Sequence, residues 1–482
     1  MSTLSRLTIL LLILSVSGCA PKEPPPAATP NVLLIVIDDL GWTDVGAYGS
    51  SFYRTPAIDG LAQQGIRFTQ FYSASPVCSP TRASLMTGRS PARLQITNWI
   101  GGEQNGLLQQ AEYRRELPLS ERTIGEVFRD AGYRTGYVGK WHLGQEGFMP
   151  EDQGFEWTAA VNHAGQPGSY FPPYKNDGWP ITNVPDLDED GPGDYLTDRL
   201  TDKAVQFLES DDKRPFMLVM AHYAVHTPLQ APDSPVDEYR AIADGLPEVD
   251  SAFTSESGRA FTKMRQDNPT YAAMIDRTDA SVRRLLDTLV RMGVDSNTIV
   301  VFVSDNGGLS TLPRASANTP TSNAPLRAGK GWLYEGGIRI PMIVRLPDNR
   351  GAGTEIRTPA STEDILPTLA DLAGIKPMPD SLDGVSLVPA LEGRGIERAG
   401  SSLYWHFPHY HGSGNRPSAA IREGDYKLIE WFEDGKTELY DLQVDESESH
   451  DLSDAQPALA SELEEKLNAW LKEVGAKMPT GE

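Results

Sequence analysis

Apolar and polar positions along the chain fall into two rhythms. The run from Asn31 to Ile37 is apolar almost throughout and closes at Asp38-Asp39, the pattern of a strand buried on both faces. Thr135 to Lys140, Pro215 to His222, Asn297 to Ser304 and Ile338 to Arg345 predict further strands. Between them Tyr271, Met274, Ile275, Val282, Leu285, Leu286, Leu289 and Val290 recur at helical spacing and stop at Gly293, which predicts an amphipathic helix. Thr362 to Leu372 predicts a second helix. Strands and helices that alternate in this way predict an α/β domain, with a mostly parallel sheet between helical layers, over residues 31–392. The stretch from Gly178 to Gly193, rich in Pro, Gly and Asp, predicts a surface excursion.

After Glu392 the rhythm changes. Tyr426 to Phe432 and Thr437 to Leu442 alternate around Glu433-Asp434-Gly435-Lys436, a hairpin signature. Leu459, Leu463, Leu467 and Trp470 then share one helical face. Residues 393–482 therefore predict a small subdomain of antiparallel strands with a packing helix.

The N-terminus follows a different logic. Arg6 precedes an apolar run, Leu7 to Val16, that is shorter than the ~20 residues of a membrane span. It ends in Val16-Ser17-Gly18-Cys19, which resembles a bacterial lipoprotein signal over residues 1–19. That resemblance implies lipidation of Cys19, export to the periplasm and a lipid anchor in the membrane, the outer one since Ala20 is not Asp. Residues 20–30, rich in Pro and Ala, predict an extended tether. With two cysteines in 482 residues a disulfide framework is excluded. The net charge of −23 argues against a nucleic-acid partner, which would meet a basic face.

In open α/β sheets ligands collect at the carboxyl ends of the strands. Asp38-Asp39 and Asp305-Asn306 stand at two such ends, and three carboxylates with an amide oxygen suit Ca2+ or Mg2+ better than zinc. Either pair alone reads as a helix cap or a turn, and only the two together at two strand ends point to a metal. Cys78-Ser79-Pro80-Thr81-Arg82 opens a predicted helix, with a cation one turn after the thiol, a setting that favours an anion.

These residues resemble the type I sulfatase family of the alkaline-phosphatase-like superfamily. The similarity continues in order through Gly136 to Gly144, Ala224-Val225-His226-Thr227-Pro228, Ser304 to Gly308 and Gly329 to Arg339. The resemblance implies an α/β/α sandwich plus the small C-terminal antiparallel subdomain. It also implies conversion of Cys78 to formylglycine by a formylglycine-generating or sulfatase-maturating enzyme. One Ca2+ would be held by Asp38, Asp39, Asp305, Asn306 and residue 78, with Arg82, Lys140, His142, His226 and Lys330 around the sulfate. The activity implied is hydrolysis of a sulfate ester in two steps. One hydroxyl of the hydrated aldehyde attacks sulfur with Asp305 as base, and His142 deprotonates the other so that sulfate is expelled. His226 and Lys330 are the two groups available to protonate the leaving alcohol.

Two further blocks, Asn162 to Tyr174 and Tyr404 to Gly412, resemble segments of sulfatases that act on glycans. They make a sulfated carbohydrate the expected substrate, with His163, His406, His409 and His411 expected to hold the sugar. The alternative is a phosphoester or phosphonate hydrolase built on the same formylglycine site.

Overall fold

The computed structural model describes residues 29–187, 194–249, 251–379, 381–396, 398 and 402–481. The signal segment, Cys19 and most of the tether lie outside the described residues, as does part of the 178–193 excursion. No helix among the described residues is long and apolar enough to cross a membrane.

An eight-stranded sheet forms the centre. Its strands are β1 (Asn31–Ile37), β2 (Ile66–Phe68), β3 (Arg134–Lys140), β4 (Trp157–Asn162), β5 (Phe216–Ala221), β6 (Thr298–Ser304), β7 (Met342–Arg345) and β8 (Thr354–Ile356). They lie in the order β8-β2-β7-β6-β1-β5-β3-β4, and β7 alone runs against the rest. The principal helices are α1 (Pro56–Gln64), α2 (Cys78–Thr87), α3 (Ile124–Asp130), α4 (Leu196–Leu208), α5 (Pro269–Arg291), α6 (Glu335–Ile338), α7 (Ile365–Leu372) and α8 (Pro457–Glu473).

Alternate side chains of the central strands feed two cores. Leu33, Ile35, Ile37, Leu218, Val300 and Phe302 pack against Ile275, Val282, Leu285 and Leu289 of α5 and Leu200 and Ala204 of α4. Val32, Leu34, Val36, Val219, Val301 and Val303 face Leu85 and Met86 of α2, Val127 and Phe128 of α3, and Leu366 and Leu369 of α7. Each such side chain contributes about 1.5–3 kcal/mol by leaving water. The two-sided demand explains why Val32 to Ile37 of β1 and Ile299 to Val303 of β6 are apolar at every step.

The segment from Ile338 departs from expectation. Residues 335–338 form the short helix α6, and the strand begins only at Met342. Pro341 has no N–H for the ladder, so pairing starts after it.

A second, four-stranded antiparallel sheet comprises β9 (Ser402–Phe407), β10 (Ser418–Glu423), β11 (Tyr426–Trp431) and β12 (Lys436–Asp441). One face packs on α8 through Ile421, Leu428, Leu463, Leu467 and Leu471. The other meets Tyr72, Trp332, Leu333, Tyr334 and Ile338 through Trp405, Phe407, Ile429 and Trp431. This aromatic seam presses the small sheet onto the segment that carries Lys330.

Candidate active site

Four adjacent parallel strands, β3, β5, β1 and β6, deliver their carboxyl ends to one place. Ile37 is in register with Ser304, so Asp38 and Asp305 emerge side by side. The backbone N–H of Asp305 donates to the carbonyl of Ile37 at 3.1 Å, and that of Asp39 donates to Asp305 Oδ1 at 3.1 Å. Asp39 takes φ +62°, a left-handed conformation that turns its carboxylate back toward the strand ends. Lys140 is the last residue of β3, with His142 two further on, and His226 follows β5.

Cys78 is the first residue of α2 and is buried. One turn later Arg82 donates from Nε to Asp305 Oδ2 at 2.8 Å and from an Nη to the carbonyl of Lys140 at 2.7 Å. Lys140 Nζ lies 2.6 Å from Asp38 Oδ2, and Lys330 Nζ lies 2.7 Å from Asp39 Oδ1. Three buried carboxylates thus face three buried cations. The cations predicted for an anion are partnered by the residues predicted for a metal.

His142 has a defined tautomer. Nε2 is 3.1 Å from the carbonyl of Ile100, which can only accept, so the proton sits there. Nδ1 is then a bare lone pair, 3.4 Å from Cys78 Sγ. Burial, then the charge of Lys140, holds this imidazole well below the ordinary histidine range and keeps it neutral. His226 is pushed down to about 3 by burial and Lys330, and its Nε2 lies 3.6 Å from Asp39 Oδ2.

The donor set fits a hard divalent cation. Asp38 Oδ1 and Asn306 Oδ1 are buried without a hydrogen-bond partner among the described residues. Burial pushes the Asp38 carboxyl well above its usual range, against the pull of Lys140. An oxygen-seeking ion would satisfy both atoms, with Asp38, Asp39, Asp305 and Asn306 as its ligands. It would also turn a neutral cluster into one with a surplus of positive charge, matched to an anionic substrate.

Cys78, His142, His226 and Lys330 form the deep end of a cavity of about 820 Å³. His163 and His411 also line it. His411 Nδ1 accepts from the backbone N–H of Ser413 at 3.2 Å, which leaves its Nε2 to carry the proton. The other two histidines expected on the sugar do not reach this cavity. His406 lies on β9, buried, with Nε2 donating to the carbonyl of Lys477 at 2.9 Å. His409 is buried against Thr97 Oγ1 at 2.8 Å and the edges of Tyr113 and Phe407. Both histidines belong to the packing of the small sheet.

Other cavity residues escaped the sequence reading. Trp99 and Ile100 stand beside His142, and Trp179 and Ile181 line the outer wall while remaining 48% and 43% exposed. The excursion expected over 178–193 is thus, at its described start, part of the cavity. An exposed Trp flanked by Gly178 and Pro180 was the available signal.

Known proteins resemble this chain along most of its length. Residues 30–375 match the Sulfatase family model, and residues 328–476 match that of the N-sulphoglucosamine sulphohydrolase C-terminal region. A sulfatase of Formosa agariphila is 31% identical over 94% of this chain and 90% of its own length. Mouse N-acetylgalactosamine-6-sulfatase is 34% identical over 88% of this chain and 75% of its own. Among solved structures, Ps i-CgsB in complex with k-i-k-neocarrahexaose superposes with a TM-score of 0.72 at 32% identity, covering 92% of this chain and 93% of that one.

Proposed function

Since the chain belongs to the sulfatase family and is a sulfuric ester hydrolase, we propose that it removes sulfate from a carbohydrate, with a formylglycine made from Cys78 and one Ca2+. The observation that carries this is the cluster at the ends of β1 and β6, where four oxygen donors and three buried cations gather within electrostatic reach of Cys78. The carbohydrate part is supported by relatives named for an N-acetylgalactosamine sulfate and for a carrageenan oligosaccharide complex. The export signal and the lipid anchor at Cys19 belong to the same reading and are supported by the sequence alone.

Formylglycine at residue 78 supplies, as its hydrate, the nucleophilic oxygen, and Ca2+ supplies positive charge toward the sulfuryl group. The chain's own residues do the rest. Arg82, Lys140 and Lys330, all buried, hold the charge that builds on the sulfuryl oxygens. His142 takes a proton from the side chain of residue 78 at its bare Nδ1. Lys330 and His226 both line the cavity, and Lys330 delivers the proton to the departing sugar oxygen, since His226 is neutral and carries its one proton on Nδ1, toward the carbonyl of Thr227.

Active, matured protein will show a loss of about 18 Da at residue 78, the difference between a cysteine and a formylglycine. Peptide mass spectrometry with parallel turnover of sulfate, phosphate and phosphonate esters tests this. Unmodified Cys78 in active enzyme, or faster phosphonate than sulfate turnover, overturns it.

Gly165 offers a finer test of His142. A Cβ at position 165 would lie 2.8 Å from His142 Cε1, and the ring cannot give way without losing Ile100 or residue 78. Gly165→Ala should lower kcat by about tenfold, ~1.4 kcal/mol of transition-state stabilisation, with little change in thermal midpoint. Wild-type kcat in the variant would mean that His142 tolerates displacement.

A further inference from the structure

The cavity has two ends of opposite electrical character. Cys78, His142 and Lys330 at its floor are all buried, whereas Arg115, Glu146, Trp179 and Ile181 are exposed and so mark its mouth. Only three charged side chains among the described residues line that mouth: Arg115, Glu116 and Glu146. Arg115 is already engaged by Glu103, which lies outside the cavity lining. Glu116 and Glu146 have no ion-pair partner among the described residues. His163 adds no charge to offset them, because burial lowers its pKa. With the proposed cation added to its paired charges the floor attracts one anion, while the mouth carries two free carboxylates and one neutralised arginine.

Resting on the sulfatase reading above, we infer that this mouth is an anion filter: Glu116 and Glu146 select a sulfate ester whose leaving group carries no second negative charge near the ester. A sulfated sugar ring against Trp179 and Ile181 meets apolar surface, whereas a neighbouring sulfate or carboxylate meets Glu116 and Glu146. Repulsion between partly exposed charges acts over roughly 8 Å at 0.15 M salt, so the filter senses groups on the reacting sugar and its immediate neighbour. It also reconciles a chain of net charge −23 with an anionic substrate: one charge is captured at depth, and further charges count against binding.

The test uses 4-nitrophenyl sulfate and its 3-carboxy derivative on matured full-length enzyme. The readout is the ratio of kcat/KM for the carboxylated to the uncarboxylated ester, so that intrinsic reactivity cancels between enzyme variants. In 20 mM salt Glu116→Gln/Glu146→Gln should raise that ratio about fivefold over wild type. Glu103→Gln, which releases Arg115 without touching the cavity wall, should raise it in the same direction. Both gains should vanish in 0.5 M NaCl, where the screening length is only a few ångströms. A ratio unchanged in both variants, or a gain that survives high salt, overturns the filter. Failure of matured wild-type enzyme to hydrolyse either ester overturns the sulfatase reading and the filter with it, whereas turnover of both with an unchanged ratio overturns the filter alone.

Discussion

Asp305→Ala will abolish turnover, by at least about a thousandfold, and will erase the thermal stabilisation expected of Ca2+ in the wild-type protein. Asp305 serves three neighbours at once. Its Oδ2 accepts from Arg82 Nε, its Oδ1 accepts from the Asp39 N–H, and its carboxylate is one of the proposed ligands of the ion. Without it the buried Arg82 keeps the carbonyl of Lys140 and, at 4.0 Å, Asp38 Oδ1, and breaking a buried pair in this way costs about 3–5 kcal/mol. The thousandfold loss corresponds to ~4 kcal/mol of transition-state stabilisation. Ca2+ at a hundred times its dissociation constant stabilises a native state by about 2.7 kcal/mol, read as an upward shift in thermal midpoint. Asp305→Asn separates the contributions, since an amide oxygen still accepts from Asp39 while the charge is gone. Hydrolysis of 4-nitrophenyl sulfate and thermal scans with and without Ca2+ measure both effects. An Asp305→Ala protein that keeps a wild-type Ca2+ shift would show that the ion is held elsewhere.

What could be read in the sequence tracks how local each cause is. β1 and β6 announce themselves because both faces are covered, so Val32 to Ile37 and Ile299 to Val303 are apolar without interruption. Asp38 and Asp305 follow directly, and their adjacency needs only the parallel register of those strands. The strand at Met342 was blurred because Ile338 and Ile340 are as apolar as a strand would be, while Pro341 blocks pairing. His406, His409 and His411 share one composition and three surroundings. β9 is covered on both faces, so the usual alternation of buried and exposed positions vanishes, and nothing local marks His411 as the one facing the cavity. The pairing of Lys140 with Asp38 and of Lys330 with Asp39 joins residues 102 and 291 positions apart. No pattern within one segment encodes it.

The small sheet steadies the floor of the cavity through a charge network that no single segment reveals. Lys427 on β11 is fully buried, with Nζ 3.0 Å from Glu335 Oε1 and 2.8 Å from Glu448 Oε1. Glu448 Oε2 accepts the backbone N–H of Glu335 at 2.6 Å, and Tyr72 donates its hydroxyl to Glu335 Oε2 at 2.8 Å. Glu335 opens α6 only five residues after Lys330, so this cluster ties the small sheet to a residue of the site. Lys427→Met keeps most of the side-chain volume and removes the one charge between two buried carboxylates. The expected loss is about 3–5 kcal/mol, read as a lower urea midpoint at pH 8. The pH dependence fixes the cause. Burial already lifts the Glu448 carboxyl to about 7, whereas Lys427 holds Glu335 low against the same burial. An acid whose folded pKa is raised stabilises the fold when protonated and loses that contribution as pH climbs from its unfolded value through its folded one. Without Lys427 this behaviour strengthens at Glu448, whose one lowering charge is Lys427, while Glu335 keeps Arg422 and Arg339 nearby, so the folded variant takes up protons that the unfolded chain releases above about 4.5. The deficit against wild type should therefore be largest at pH 8 and shrink toward pH 5. Adding Glu448→Gln to Lys427→Met should recover part of the midpoint at pH 8, because the carboxylate that had only Lys427 as its counter-charge is then gone, while Glu335 keeps Arg422 and Arg339. A deficit equal at both pH values, and untouched by the added glutamine, would assign Lys427 to packing rather than to charge.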